Sequence, residues 1–318
     1  MCYNEVVKKI IIIFSILIMS QIFASPCYAI KIGLQTGTDS TGIGTSVKGI
    51  IIDANTNHSI CDLEAMKGYE IKPYHNLMAI QYKGKFYKVN SDNIVIKPVG
   101  TGFVSAKGRW YRGIIMIQNK NGKLTVINNI PLEDYIKGVV PSEMPSSWAT
   151  EAHKAQAIAA RSYALANLGK RARYGYDLKD TPEDQAYRGA SAETADTNYA
   201  VDQTKGIVLT YNMKVISAYY SASAGGMTNT NSWGSNLPYL RSVPSFDDNI
   251  KKNGHGVGMS QHGANNLAKQ GYNAYQILQY FYKDVKFAKI DPKSYNELEN
   301  GNIIEFSAVQ PLKSRSII

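Results

Sequence analysis

The stretch "WATEAHKAQAIAARSYALANL", residues 148–168, constrains the fold more than any other part of the chain. Eight alanines lie between Ala149 and Ala166, with no proline or glycine to interrupt them. Alanine is the strongest helix former, and its methyl side chain lets neighbouring backbone approach closely. The spacing predicts a helix buried in the protein interior. Ser147 is placed to cap its N-terminus, Glu151 suits the positive end of its dipole, and Gly169 is placed to end it. Arg161 falls on this small-residue face, where a charge seldom enters unpaired. It must either pair with an acid or reach substrate.

The surrounding text is β-rich. "GIIIDA" (49–54), "LMAIQY" (77–82), "KFYKVN" (85–90) and "NIVIKPV" (93–99) read as short strands punctuated by Gly, Asn and Lys. "YRGIIMIQ" and "KLTVINN" flank "NKNG" (119–122) as a β-hairpin, and "GIVLTY" and "KVISAYY" flank Asn212-Met213 as a second. Two later helices are predicted, from about Gln261 to Lys269 before Gly271, and from about Ala274 to Tyr282 with Asn273 and Gln276 as a cap pair. The expected fold class is α+β: a β-rich N-terminal part, then a mixed domain of β-hairpins around the alanine-rich helix. The expected divisions are residues 1–29, 30–105, 106–287 and a polar tail over 288–318.

Lys8 and Lys9 precede an apolar run from Ile10 to about Ala24, and small residues follow up to Cys27-Tyr28-Ala29. That is the layout of a secretory signal, and the run is shorter than the roughly 20 residues that comfortably span a bilayer. The expectation is export to the cell exterior or wall, with residues 1–29 cleaved or kept as a membrane anchor through residues 10–24. Cleavage would leave Cys61 as the last of 3 cysteines, so the exported fold rests on packing and not on an internal disulfide. The formal charge is +10, which favours an anionic partner. Outside the cell, nucleic acid is an unlikely partner. Peptidoglycan and its attached anionic polymers fit.

Three segments can carry chemistry. In "VVPSEMPSSW" (139–148) a single acid, Glu143, stands between Pro141 and Pro145 among Val139, Val140, Met144 and Trp148. Apolar surroundings raise a carboxyl pKa, and prolines stiffen the chain, so the segment suits a protonated general acid. The plain alternative is a surface acid ahead of a helix. In "YYSASAGGMT" (219–228) small hydroxyl residues run into two glycines. This is either a tight turn or a loop whose N–H groups meet a polar ligand. Ser221 and Ser223 lack the G-x-S-x-G spacing of a serine-hydrolase elbow. "NGHGVGMSQHGA" (253–264) has no Gly-Lys-Ser/Thr ending and is not a phosphate loop. His255 and His262 would need further ligands, such as His153 or Cys61, to bind zinc. No cofactor is expected. The alternative for His255 is a close-packed turn in which hydrogen bonds satisfy it.

Taken together, "INNIPLEDYIKGVVPSEMPSSWATEAHKAQAIAARSYAL" (127–165), "AVDQTKGIVLTYNMKVISAYYSASAGGMT" (200–228), "WGSNLPYLRSVPSFDD" (233–248) and "GHGVGMSQHGANNLAKQGY" (254–272) resemble the stage II sporulation protein D / LytB amidase-enhancer family in order and spacing. The likeness covers roughly residues 106–285. It implies action on bacterial peptidoglycan. Sporulation members are lytic transglycosylases that cut glycan strands stripped of stem peptides by a partner N-acetylmuramoyl-L-alanine amidase. The family's catalytic glutamate lies in the segment that "PSEMP" matches, which assigns the role to Glu143. The sequence departs from the pattern where Tyr220-Ser221 stand, since relatives often carry a histidine there. It also departs in the short link from Asp248 to Gly254, and at His262, where an aromatic is common.

The implied reaction needs only one carboxyl group. Glu143 gives its proton to the oxygen between N-acetylmuramic acid and N-acetylglucosamine. The muramic acid's own C6 hydroxyl then attacks, Glu143 takes that proton, and a 1,6-anhydro end results. Substrate-binding roles are expected for Arg161, Gln156, Ser223, Gly225, Gly226, His255 and Gln261. Two rivals stand beside this reading. One is a non-catalytic peptidoglycan-binding enhancer of an amidase. The other is a hydrolase in which Glu133, Asp134 or Glu151 supplies a second carboxylate.

Overall fold

The computed structural model describes residues 29–230 and 237–290. The predicted export segment and anchor, and all but the first residues of the predicted polar tail, lie outside the described residues. Among the described residues no helix is long and apolar enough to cross a membrane.

The chain is an α+β protein with a β-rich N-terminal part, as the sequence predicts. Strands β1 (Ala29–Thr38), β3 (Gly49–Asp53), β4 (Ser59–Leu63), β8 (Asn93–Pro98), β11 (Ile114–Lys120), β12 (Lys123–Pro131) and β13 (Leu178–Lys179) form a seven-stranded sheet in the order β13-β1-β12-β11-β8-β3-β4. Strands β2 (Thr41–Thr45), β5 (Gly68–Tyr74), β6 (Leu77–Tyr82), β7 (Lys85–Val89), β9 (Val104–Ala106) and β10 (Arg109–Tyr111) form a second, in the order β10-β9-β2-β5-β6-β7. Alternating residues such as Ile51, Ile71, Met78, Ile94, Ile96, Ile115 and Ile117 fill the core beneath them. The division expected at residue 105 cuts through this arrangement. β11 and β12, which lie beyond it, sit in the middle of the first sheet and pair with β8 and β1. The hairpin predicted around "NKNG" is β11–β12, with Asn121 and Gly122 at positive φ in the turn.

Among the described residues five α-helices follow or interleave. The alanine-rich one, α2 (Thr150–Ala166), is buried along nearly its whole length, as expected. Ser147 does not cap it. The N-cap is Ala149 with no side-chain cap, and its own N–H is taken by Asn265 Oδ1 at 3.0 Å. α3 (Ala195–Gln203) carries a Thr194/Thr197 capping box that the sequence reading passed over. The predicted pair is present as α4 (Gln261–Lys269) and α5 (Ala274–Phe281), the latter with the Asn273/Gln276 capping box. The second predicted hairpin is β14 (Ile207–Tyr211) with β15 (Lys214–Val215), turned by Asn212 and Met213, both at positive φ. β18 (Lys286–Lys289) pairs along the other side of β14.

α1 (Leu132–Glu143) is the element that matters most and that the sequence hid. It contains Gly138 and Pro141 and has no side-chain cap, so local signals read as a loop. Tertiary contacts explain both residues. A Cβ on Gly138 would come within 2.4 Å of the Tyr187 ring, so only glycine lets that ring lie on the helix. Pro141 falls in the last turn, where its missing N–H costs one bond only, and Ser142 Oγ donates to Gly138 O at 2.6 Å beside it.

α1 and α2 are riveted by one ion pair. Arg161 is fully buried. Its Nε and Nη2 fork onto Glu133 at 2.8 and 2.7 Å, and Nη1 donates to Ile207 O at 2.9 Å. Glu133 also accepts from Gly206 N at 3.1 Å. A guanidinium this enclosed cannot touch a polymer, so the substrate-binding role expected for Arg161 is corrected to the other alternative, pairing with an acid. Breaking a buried pair by removing one partner typically costs about 3–5 kcal/mol. Arg161→Gln is therefore expected to lower the urea midpoint by that order of stability, and Glu133→Gln by at least as much, because it leaves the fully buried guanidinium without a counter-charge and sets an amide N–H2 against Nη2. Equilibrium urea unfolding of both variants checks this ranking.

Candidate active site

Glu143 is the last residue of α1, so its carboxyl group sits at the negative end of the helix dipole, which disfavours charge there. Met144, buried, turns the chain outward. Oε1 accepts from Ala186 N at 2.6 Å, and Oε2 accepts from Gln261 Nε2 at 3.2 Å. The Tyr220 hydroxyl is a third partner. Burial is the largest influence and pushes the Glu143 pKa above the ordinary carboxylate value. The three hydrogen-bond donors oppose that shift without cancelling it. Among the described residues no other carboxylate contributes to that shift.

Each donor comes from a different segment, and each is held in place. Ala186 lies in "TPEDQAYRG" (181–189), a loop after β13. The wholly buried carboxylate of Asp184 fastens this loop through Lys170 at 2.7 Å, Arg171 at 2.5 Å and Lys179 N at 2.8 Å. Gln185, fully buried, accepts from Tyr135 OH at 3.2 Å and donates to Tyr220 OH at 2.8 Å. With its acceptor site used by Gln185, the Tyr220 hydroxyl has its proton free for Glu143. Burial first, and the charge of Glu143 second, hold Tyr220 well above its usual pKa, so it remains a donor. Tyr220 itself is set by β16 (Tyr220–Ser221), which pairs in parallel with β17 (Met259–Ser260).

Gln261 opens α4, whose N-cap Ser260 accepts from Gly263 N at 3.1 Å. Its amide also reaches Gln156 Oε1 on α2 at 3.4 Å. Gln156 is completely buried, and its Nε2 has no acceptor. An amide's N and O are interchangeable in shape. With both amides turned over, Gln261 Oε1 accepts from a protonated Glu143 and from Gln156 Nε2 together. That turn moves the partnerless position of Gln156 from its Nε2 to its Oε1, so the amide pair can serve either the neutral acid or the anion.

A second carboxylate organises the loops around this one. Asp247 Oδ2 accepts from Ser223 Oγ at 3.0 Å, Ala224 N at 2.8 Å and Ser260 Oγ at 2.5 Å. Oδ1 accepts from Gly226 N at 2.9 Å and from the Ser245 hydroxyl. Burial alone would raise its pKa, but the hydroxyls of Ser245 and Ser260 and the N–H groups of Gly226 and Ala224 overcome that and bring it to about 2. Asp247, within "SFDD", is not singled out by the sequence. Its signal is the set of Ser and Gly residues that need one common acceptor.

The expected site residues therefore divide. Glu143, Gln156 and Gln261 meet. Ser223 is buried, and with Gly226 it wraps Asp247; Gly225 is exposed at the tip of that loop. Ser223 cannot line a groove while its hydroxyl serves Asp247, so that expectation is corrected. His255 accepts from Val257 N through Nδ1 at 2.9 Å and is partnered by the Tyr220 carbonyl. Burial lowers its pKa, and it stays neutral as a brace between the two loops. This is the close-packed alternative. Gly258 permits the packing: at φ +75°, its missing Cβ would stand 2.0 Å from Tyr219 O. Trp148 and His262, both partly exposed, meet edge to face at 4.7 Å one residue beyond Gln261.

The acids considered as helpers are elsewhere. Asp134 and Glu133 precede Glu143 by nine and ten residues on one helix, about 14–15 Å along its axis at 1.5 Å per residue. Glu151 is used by Lys154 and by Ala274 N. A depression of about 470 Å³ lined by Phe246, Asp248, Asn249, Asn266, Lys269 and Gln270, among others, includes none of the groups around Glu143. Among the described residues no group of three or more His, Cys, Asp or Glu could hold a metal ion.

Comparison with known proteins finds likenesses over parts of the chain. Residues 120–211 match the family model described as stage II sporulation protein. An uncharacterised protein of Brachyspira hyodysenteriae is 34% identical over 196 residues, which is 61% of this chain and 49% of that protein. The amidase enhancer of Bacillus subtilis is 47% identical over 107 residues, 33% of this chain and 14% of the enhancer. Stage II sporulation protein D of Bacillus amyloliquefaciens is 28% identical over 52% of this chain and 76% of its own length. The chain thus spans about half of the first relative and a small part of the second. Over residues 120–211 the chain is therefore similar to the stage II sporulation protein family, and over shorter or more distant stretches to an amidase enhancer and to stage II sporulation protein D.

The two carboxyl groups have opposite consequences for stability. An acid with a raised folded pKa costs stability above its unfolded pKa, so Glu143→Gln is expected to raise the thermal midpoint at pH 7 by a few degrees, roughly 1 kcal/mol. The gain should fade near pH 4, and calorimetry at both values checks it. Asp247 has a lowered pKa, so its contribution is complete above about 4 and is lost as pH falls toward 2. Asp247→Asn should remove that part of the acid transition and unfold at lower urea at neutral pH.

Proposed function

We propose that this chain is a peptidoglycan lytic transglycosylase with Glu143 as its only catalytic carboxyl group. Glu143, protonated at rest, passes its proton to the glycosidic oxygen between N-acetylmuramic acid and N-acetylglucosamine. The bond to the muramic C1 breaks and positive charge builds on that ring. The carboxylate left behind is stabilised by the Ala186 N–H and Tyr220 hydroxyl, which already point at it, and by the N–H2 of the Gln261 amide. It then takes the proton of the muramic C6 hydroxyl as that oxygen closes on C1. The product is a 1,6-anhydro end, and Glu143 is protonated again.

The observation that carries this reading is the solitude of the group: a partly buried carboxyl with three fixed donors and, among the described residues, no second carboxylate beside it. A water-adding glycosidase needs two, about 5–5.5 Å or 6.5–9.5 Å apart. The likeness to stage II sporulation protein D supports a wall substrate and a role in sporulation or wall remodelling. Export and a partner amidase belong to the same proposal. A second reading is favoured by one finding, the 47% identity to an amidase enhancer. In it the chain binds glycan and stimulates an amidase without cutting.

The test is to offer peptide-stripped glycan strands to the purified protein and identify the new ends by mass spectrometry. Anhydro ends are expected, with Glu143→Gln slower by about 10²–10⁴-fold. Reducing ends would mean a hydrolase. Binding without cleavage would leave the enhancer.

A further inference from the structure

The outer face of the six-stranded sheet has no part in the site. The registers of β5, β6 and β7 place Lys72, Ala79 and Lys88 in one row across the strands, and Glu70, Gln81 and Phe86 in the next row of the same side. Tyr74 and Leu77 form a third row there. Side chains alternate along a strand, so Ile71, Met78, Ile80 and Val89 point the other way, into the core. Phe86 is 57% exposed and Tyr74 47%. The Lys72 ammonium lies over the Phe86 ring at 5.4 Å, and that of Lys88 over Tyr74 at 5.9 Å. Ala79, 5% exposed, forms a low floor between the two lysines, which stand about 10 Å apart across two strand spacings. Lys72 shares Glu70 at 3.1 Å, whereas among the described residues Lys83, Lys85 and Lys88 form no salt bridge.

Lysines on an edge strand are a common guard against strand-to-strand aggregation. That accounts for Lys85 and Lys88 but not for two large aromatic rings displayed beside them. A ring with a cation at its face matches one chemistry in particular: a pyranose stacked on the aromatic with a carboxylate next to it. Glu70 and Gln81, in the row of Phe86, offer hydrogen bonds to hydroxyls and are ill suited to entering a hydrocarbon layer. The +10 charge draws in a polyanion.

We propose that this face docks a carboxylate-bearing glycan strand, separately from Glu143. The carboxylates would be the lactyl groups of muramic acid, an assignment that rests on the function proposed above. The surface then holds the polymer while the acid works on it.

The test is co-sedimentation of the whole protein, in a Glu143→Gln background, with peptide-stripped glycan strands. The same strands with their carboxyl groups reduced to alcohols, a glycerol-phosphate polymer and phosphatidylglycerol vesicles serve as comparisons. Phe86→Ser with Lys88→Glu should weaken binding to the carboxylate strands by roughly tenfold and flatten its salt dependence. Tyr74→Ser alone should weaken it less. Tyr87→Ser, exposed on the same strand but on the opposite side, should leave it within about twofold. All four positions are exposed, so unfolding midpoints should match the parent. Unchanged binding by the double variant, an equal loss with Tyr87→Ser, an effect confined to vesicles or the phosphate polymer, or no retention on strands by the parent would each overturn the proposal. Sedimentation needs no bond cleavage, so a failure of Glu143 as a catalyst would not be mistaken for a failure of docking.

Discussion

A buried carboxylate with five donors holds the site together. Asp247 gathers N–H and hydroxyl groups from residues 223–226, from Ser245 and from Ser260, three stretches of chain with little regular structure of their own. Without that acceptor, the serine hydroxyls and glycine N–H groups would be buried with no partner, each at a cost of about 1–3 kcal/mol. With it, the loop after β16 and the turn before α4 become one unit. Tyr220 leaves that unit on one side and Gln261 on the other, and both point at Glu143.

Two carboxyl groups in one region thus meet opposite fates. Asp247 has so many donors that charge is its stable form. Glu143 has fewer donors, sits at the wrong end of a helix for an anion, and is short of water. Environments that push two acids apart in this way mark the acid suited to proton transfer. The Gln261–Gln156 amide pair adds a second layer, because its hydrogen-bond polarity can follow the state of Glu143.

Much of this was legible in the sequence, and for identifiable reasons. The alanine-rich helix, the two hairpins and the Asn273/Gln276 cap announce themselves through local rules of propensity and turn chemistry. At Glu143 the adjacent apolar neighbours suit a raised pKa but leave a surface acid open; its assignment as the acid comes from the family resemblance of "PSEMP". α1 did not announce itself, because Gly138 and Pro141 argue against a helix and only the Tyr187 ring explains the glycine. Arg161 could be read as paired or as reaching substrate until Glu133 was found 28 residues away in sequence. The loop carrying Gln185 and Ala186 was silent for the same reason. Its function is to present one backbone N–H and one amide, and neither leaves a mark in residue type. Groups that act through the backbone, or through partners far along the chain, are where reading from sequence fails on principle.

The proton-holding arrangement has one further property. Its four contributors stand at positions 143, 186, 220 and 261, and no two are neighbours in the chain. In an unfolded polypeptide Glu143 is an ordinary, ionised glutamate with no special reactivity. On the function proposed for Glu143, a cell that makes such a chain carries no active catalyst until the last of these long-range closures has formed. The fold acts as its own safety catch, released only when assembly is complete.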